Sequence, residues 1–304
     1  MRALVISGGG SKGAFGGGVA QYLIEDLKYE YELFVGTSTG SLLISHLALN
    51  KLEKIKKVYT SVTQDSIFSN CPFVIKKQKY GGKEIAINHL NVLRNFIKGK
   101  KTFGESKNLR KLIEETFTKE EFKELKESII DVVVTVSNLS LSQVEYKSIN
   151  DYEYQDFLDW IWISCNYVPF MSLVYKEGCE YADGGFGSMV PIEEALNRGA
   201  TTVDVIILET EVTYFNRLPS KNVFSLLTSV NAYLLDRVEK QNIRIGKYVA
   251  SKNNAIINLY YTPTVLTTNS LVFDKAMMQQ WWESGLVYAK QKNIELNEIK
   301  EQDT

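Results

Sequence analysis

"ELFVGTSTGSLL", residues 32–43, is the stretch on which the fold turns. A short apolar run, Leu33-Phe34-Val35, enters Gly36-Thr37-Ser38-Thr39-Gly40, and apolar residues resume at Leu42. Such a pattern fits a buried strand handing over to a helix through a bend. On these residues alone two readings stay open. One is a tight turn that contains a serine. The other is a nucleophile held on a bend so sharp that side chains at the flanking glycines would clash. The second reading needs a base and a set of oxyanion donors from elsewhere in the chain.

Upstream, "ALVISG" (3–8) reads as a buried strand, followed by a glycine-rich turn and a helix over about 14–27. "YELFVG" (31–36) is a second strand, with a helix over 41–50 behind it. Strand, turn and helix twice over predict an α/β fold, with a parallel sheet and crossover helices. Residues 51–128 read as mainly helical and lysine-rich, with a capping box at Thr118 and Glu121 opening one helix. "IIDVVVTVSNL" (129–139) is the clearest core strand, and "QVEYKSI" (143–149) pairs with it as a hairpin. Segments 203–209 and 255–263 supply two more strands, and 223–252 and 274–292 two long helices. With no internal repeat, low-complexity tract or Pro/Gly linker, residues 1–304 are expected to form one domain with a helical elaboration at 51–128.

Hydrophobic residues make up 44% of the 304 and charged residues 23%, ordinary for a globular chain able to bury a core. Its three cysteines, Cys71, Cys165 and Cys179, are odd in number and lack CxxC spacing. Neither a disulfide framework nor a zinc site follows, and a reducing compartment fits best. The N-terminal apolar run is too short for a secretory signal, and no segment approaches a membrane span. A cytoplasmic location is expected, with export by an unconventional route left open. Net charge is −1, yet residues 51–111 hold 15 Lys/Arg against 4 Asp/Glu. These lysines come without a nucleic-acid motif and with few aromatics for base stacking, so nucleic acid is not expected as a partner. A solvated helical surface is one reading of them, and peripheral contact with an anionic membrane the other.

"SGGGSKGAFGGG" (7–18) contains GxGxxG at Gly8, Gly10 and Gly13, directly after a strand. A dinucleotide site would also want an acidic residue near the end of the second strand, where the Gly-x-Ser-x-Gly bend sits instead. A phosphate-binding Gly-Lys-Ser/Thr is absent too, since Ala14 follows Gly13. What remains is a loop of backbone N–H groups, with Lys12 close by, suited to a transient oxyanion. Both loops follow parallel strands, so neighbouring strands would put Ser38 and residues 8–13 in one crevice, beside a helix N-terminus. For the base, His46 lies eight residues past Ser38 within an apolar helix and His89 in the lysine-rich segment, and both fit ordinary structural roles. The stronger candidate is Asp183 in "CEYADGGFGSMVP" (179–191), although Asp183-Gly184-Gly185 in isolation fits a plain turn.

Taken in order, Gly8-Gly9-Gly10-Ser11-Lys12-Gly13, Gly36-Thr37-Ser38-Thr39-Gly40 and Asp183-Gly184-Gly185 resemble the patatin-like phospholipase family. "ISCNYVPFMSLVYKEGCEYADGG" (163–185), with Pro169, and "WWESGLVYAKQ" (281–291) are similar to that family's stretches as well. The resemblance implies a three-layer α/β/α fold around a mainly parallel sheet, and lipid acyl hydrolysis through a Ser-Asp dyad. It makes Ser38 the nucleophile, Asp183 its base, and amides of residues 8–13, chiefly around Gly9 and Gly10, the oxyanion hole. It asks for no cofactor and no metal. An acyltransferase using the same acyl-enzyme and a catalytically silent lipid-binding module are the alternatives. Residues Phe157, Trp160, Trp162, Phe170 and Met171 are candidates for an acyl channel or for plain core. Lipid class, positional specificity and oligomeric state are not encoded in any motif.

Overall fold

The computed structural model describes residues 1–77, 83–212, 220 and 222–302. Along the chain come β1 (Arg2–Ile6), α1 (Gly13–Gln21), β2 (Leu33–Thr37), α2 (Thr39–Ala48), α3 (Leu52–Tyr59) and α4 (Gln64–Ile67). Next are β3 (Phe73–Lys77), β4 (Lys83–Ile87), α5 (His89–Ile97), α6 (Lys107–Thr116) and α7 (Lys119–Lys126). Then β5 (Asp131–Asn138), β6 (Gln143–Ser148), α8 (Tyr154–Ser164), β7 (Val174–Lys176) and β8 (Cys179–Asp183) follow. The last elements are α9 (Ile192–Asn197), β9 (Thr202–Ile207), α10 (Val223–Asn253), β10 (Ile256–Tyr261) and α11 (Lys275–Gln302).

One sheet orders its strands β10-β9-β1-β2-β5-β8-β7, with β6 also paired to β5. The run from β10 to β5 is parallel throughout, and β6, β7 and β8 pair antiparallel. Strand side chains alternate between faces, and both faces are buried here. Leu4, Ile6, Phe34, Val132 and Val134 join a core with α1, α2, α8 and α11. Ala3, Val5, Leu33, Val35 and Val133 join the opposite core under α9 and α10. The result is the three-layer α/β/α architecture with a mainly parallel sheet that the motifs implied.

The register of β5 sets up the site. On one side β5 pairs with β6 from Val133 to Asn138, so its other partners share the remaining edge. Along that edge β2 runs parallel up to Thr37↔Thr135, and β8 comes antiparallel down to Asp183↔Val136. Two strands of opposite direction therefore end nose to nose on one neighbour. Ser38, just past the end of β2, and Asp183, the last residue of β8, are forced together.

Residues 51–128 are mainly helical, as expected, with one hairpin among the helices. Within them β3 and β4 pair antiparallel from Phe73↔Ile87 to Lys77↔Lys83 as a separate two-stranded sheet. Lys76, Lys77 and Lys83 cut short the apolar alternation that marks a hairpin, and its connection at 78–82 lies outside the described residues. The capping box at Thr118 and Glu121 is present, with the Thr118 hydroxyl accepting from Glu121 N and the Glu121 carboxylate from Thr118 N. Near the other end of the chain, α1 packs directly on α11. A side-chain carbon on Gly18 would sit 1.9 Å from the Trp282 carbonyl oxygen, and one on Gly285 2.1 Å from that of Phe15. Only glycines permit so close an approach. Among the described residues no helix is long and apolar enough to cross a membrane.

Candidate active site

Ser38 sits between β2 and α2 with φ 52° and ψ −117°. That is a strained left-handed conformation for a residue bearing a side chain. Gly36 and Gly40 make the bend possible. A side-chain carbon on Gly36 would lie 2.6 Å from the Gly40 carbonyl carbon, and one on Gly40 2.2 Å from the Ile6 carbonyl oxygen. Helix α2 starts at the next residue, Thr39, so its N-terminal dipole points at the serine. The two glycines of "GTSTG" thus serve a sharp turn that presents a hydroxyl, not a loose one.

The Ser38 hydroxyl donates to Asp183 Oδ2 at 2.7 Å, and Gly185 N donates to Asp183 Oδ1 at 2.8 Å. Asp183 is buried, and burial pushes its carboxyl from an ordinary 3.8 up to about 7, against the opposing pull of these two hydrogen bonds. A carboxylate titrating near neutrality is a far better proton acceptor than one near 4. Beside Ser38 lies the glycine loop, as β1 and β2 pair in register at Ile6↔Gly36. The ideal side-chain position at Gly8 is 3.2 Å from Ser38 Cβ.

Within the loop most amides are already committed. Gly8 N donates to Met189 O, Ser11 N to Ser270 O and Lys12 N to Gly9 O, while Gly13 N turns back to Gly10 and Ser11. Among the described residues the amides of Gly9 and Gly10 alone in this loop have no backbone acceptor. Gly10 holds φ 54° with Ser270 O packed where its side chain would be. Its carbonyl is pinned by the Thr39 hydroxyl at 2.8 Å and the Tyr59 hydroxyl at 2.6 Å. Lys12 is buried and paired with Glu209.

Three consecutive residues missed in the sequence clasp both halves of the pair. Ser164 Oγ accepts from Ser38 N at 2.9 Å, Cys165 Sγ donates to Ser38 O at 3.1 Å, and Asn166 O accepts from Asp183 N at 2.9 Å. Their one advance signal was the small-residue character of "SCN" ahead of the aspartate. Ser164 also meets the Ser41 hydroxyl, which donates to Gly36 O, so the bend is tied from both sides.

The pair opens on a cavity of about 600 Å³, within the usual size of small-molecule sites. Much of its apolar wall comes from the 51–128 segment and α2, through Leu42, Val58, Val62, Leu109, Ile113 and Phe117, and the rest from elsewhere, Ile161, Leu271 and Phe273 among them. Of the five residues expected as channel or core, Met171 alone lines the cavity. Phe157, Trp160 and Phe170 are core, and Trp162 donates its indole N–H to Ser106 O at 3.0 Å. Large aromatics at 157–162 belong to α8, whose apolar face turns to the sheet. His46 lines the cavity and its Nε2 meets Thr116 O at 3.0 Å, and burial pushes its pKa down. His89 opens α5 and does not line the cavity. Among the described residues no group of three His, Cys, Asp or Glu side chains converges to hold a metal ion.

No curated protein sequence matches this chain significantly. Among solved structures, the crystal structure of VipD from Legionella pneumophila is similar, with a TM-score of 0.51 at 16% identity. The likeness covers 95% of this chain and 66% of that one, just under two thirds of its length. A family model described as patatin-like phospholipase matches residues 4–196. That span takes in the end of β1, both glycine-flanked turns and the strand ending at Asp183, and on it this chain belongs to the patatin-like phospholipase family.

Proposed function

We propose that this chain is a lipid acyl hydrolase that cleaves carboxylic esters through Ser38 and Asp183. The observation that carries the reading is the 2.7 Å hydrogen bond from the Ser38 hydroxyl to the buried Asp183 carboxylate, both lining a largely apolar cavity. Asp183 takes the Ser38 proton as the oxygen attacks the acyl carbonyl, and the carbonyl oxygen becomes an oxyanion facing the Gly9 and Gly10 amides. Collapse of the tetrahedral intermediate breaks the ester bond, and the leaving alcohol takes the proton back from Asp183. Water then attacks the acyl-enzyme, giving up one proton to Asp183, which returns it to Ser38 as the fatty acid leaves. The acyl chain lies along Val58, Leu109, Ile113 and Phe117. No step calls for a metal or organic cofactor.

The test is fatty-acid release from mixed phospholipid vesicles by wild type and Ser38→Ala side by side. Release that vanishes in the variant supports the reading, and release that survives overturns it. Competing alcohols in the same assay separate hydrolysis from transfer.

We further propose that α5 docks on an anionic bilayer. Leu90, Leu93, Phe96 and Ile97 stand 82%, 55%, 79% and 75% exposed, and Arg94, Lys98, Lys100 and Lys101 lie within or just beyond the same helix. Apolar side chains turned to solvent beside basic ones are what a negatively charged lipid surface takes up. Phe96→Asp with Ile97→Asp should abolish sedimentation with phosphatidylglycerol vesicles, and undiminished binding would rule α5 out.

A further inference from the structure

The cavity lining is of two chemical kinds. Besides its apolar residues it holds Lys12, Glu209, Asp236 and Glu239, one base against three acids. Asp236 and Glu239 belong to α10, which turns Thr228, Ala232, Asp236 and Glu239 along one side into the cavity at helical spacing. Glu209 is ion-paired with Lys12, and Asp236 with Lys240 at 2.9 Å. Glu239 is different. It is 6% exposed, and among the described residues its carboxyl has neither a hydrogen bond nor an ion pair. A buried carboxyl without a partner is strongly disfavoured, unless a bound group supplies one. In the empty cavity burial and the nearby Glu209 push it from an ordinary 4.5 up to about 8, opposed by Lys12 and Lys240.

We propose that Glu239, with Glu209 beside it, receives the ammonium group of a zwitterionic phospholipid head group, whose phosphodiester turns to Lys12. The inference rests on the hydrolase reading for its orientation. With the ester at Ser38 and the acyl chain along the apolar wall, the head group falls to the polar lining. An anionic head group would meet three acids and one base there. A neutral sugar or a second acyl chain would leave Glu239 buried and unpaired. The three carboxylates do not converge on one point as metal ligands must. An organic ammonium, with several N–H donors spread around one nitrogen, matches separated carboxylates and hydroxyls.

Monomeric dihexanoyl lipids with identical chains isolate the head group from vesicle charge. The wild type should favour dihexanoyl phosphatidylethanolamine over dihexanoyl phosphatidylglycerol by about tenfold or more in kcat/KM, the effect of one charge-assisted contact. In Glu239→Gln that ratio should collapse towards one, through a higher KM for the ethanolamine lipid and a faster reaction of the glycerol lipid. Glu209→Gln, at a half-exposed position, should lower the ratio about threefold and serves if Glu239→Gln does not fold. A wild-type ratio near one, or a ratio that persists in both variants, overturns the assignment. Calorimetric titration of the same two lipids into Ser38→Ala reads the head-group site without turnover. Selective binding there with no wild-type cleavage would sink the hydrolase reading and keep the head-group site. Cleavage with unselective binding would do the reverse.

Discussion

Asp183 couples activity to stability with opposite signs, and pH exposes both. Its carboxyl moves from 3.8 in the unfolded chain to about 7 when buried. Between those values the unfolded chain has released the proton and the folded chain still holds it. Rising pH therefore favours unfolding until the folded group also ionises. Each pH unit in that window is worth about 1.4 kcal/mol. Replacing Asp183 with Asn removes the titration while keeping the shape. From pH 5 to pH 7 wild type should lose about 2 kcal/mol relative to Asp183→Asn by this linkage, the slope halving as the folded group reaches its own midpoint. For 304 residues, at about 2.1 cal/mol/K per residue, that is a Tm gap widening by roughly 3–4 °C. Over the same interval wild-type ester hydrolysis should climb about tenfold per pH unit and level off above 7, because Asp183 must be ionised to take the Ser38 proton. Scanning calorimetry of both proteins at pH 5, 6, 7 and 8, beside a kcat profile, measures the two halves. A Tm gap that stays constant, or a rate flat across pH 5–7, would refute the burial argument for Asp183.

Gly10→Ala places a side chain 2.3 Å from Ser270 O at φ 54°. The loop must shift, and kcat should fall about 10²–10³-fold, as for a lost oxyanion donor. Ser164→Ala removes the acceptor of Ser38 N, and steady-state kinetics should show kcat about tenfold lower with KM unchanged, the mark of a positioning residue. Ile113→Trp fills space along the apolar wall of the cavity, so the preferred acyl chain should shorten by several carbons in a p-nitrophenyl ester series. Gly18→Ala drives a methyl into the Trp282 carbonyl, and thermal melting should show a loss of about 1–3 kcal/mol from overpacking, with activity at 25 °C retained.

The site was readable where chemistry and backbone geometry demanded particular residues. Glycines at 36 and 40 announce a bend no other residue tolerates, and "DGG" announces a carboxylate on a turn. Contacts made by backbone or by ordinary side chains carry no such mark. Asn166 holds Asp183 through its carbonyl, which any residue has, and Ser164 acts as one small polar residue among many. The apolar wall of the cavity was left open for a related reason. Phe157, Trp160, Trp162 and Phe170 are conspicuous, but core packing and the Trp162 hydrogen bond to Ser106 consume them. The cavity takes instead Val58, Ile113 and Phe117, apolar positions of amphipathic helices that read as ordinary core. In the fold, the long strands and the two closing helices followed from periodicity. The short β7 and the β3–β4 hairpin have too few alternations to register.

The meeting of β2 and β8 along β5 has an evolutionary reading. Chemistry is anchored to one strand, whereas many of the apolar side chains that line the cavity belong to helices that leave the sheet after α2 and return only at β5. Machine and much of the mould are thus separately encoded in this chain, joined at Tyr59, which holds the Gly10 carbonyl. Apart from that contact, residues 51–128 are a part that selection can reshape, and that a protein engineer can vary, without retouching the hydrogen bond between Ser38 and Asp183.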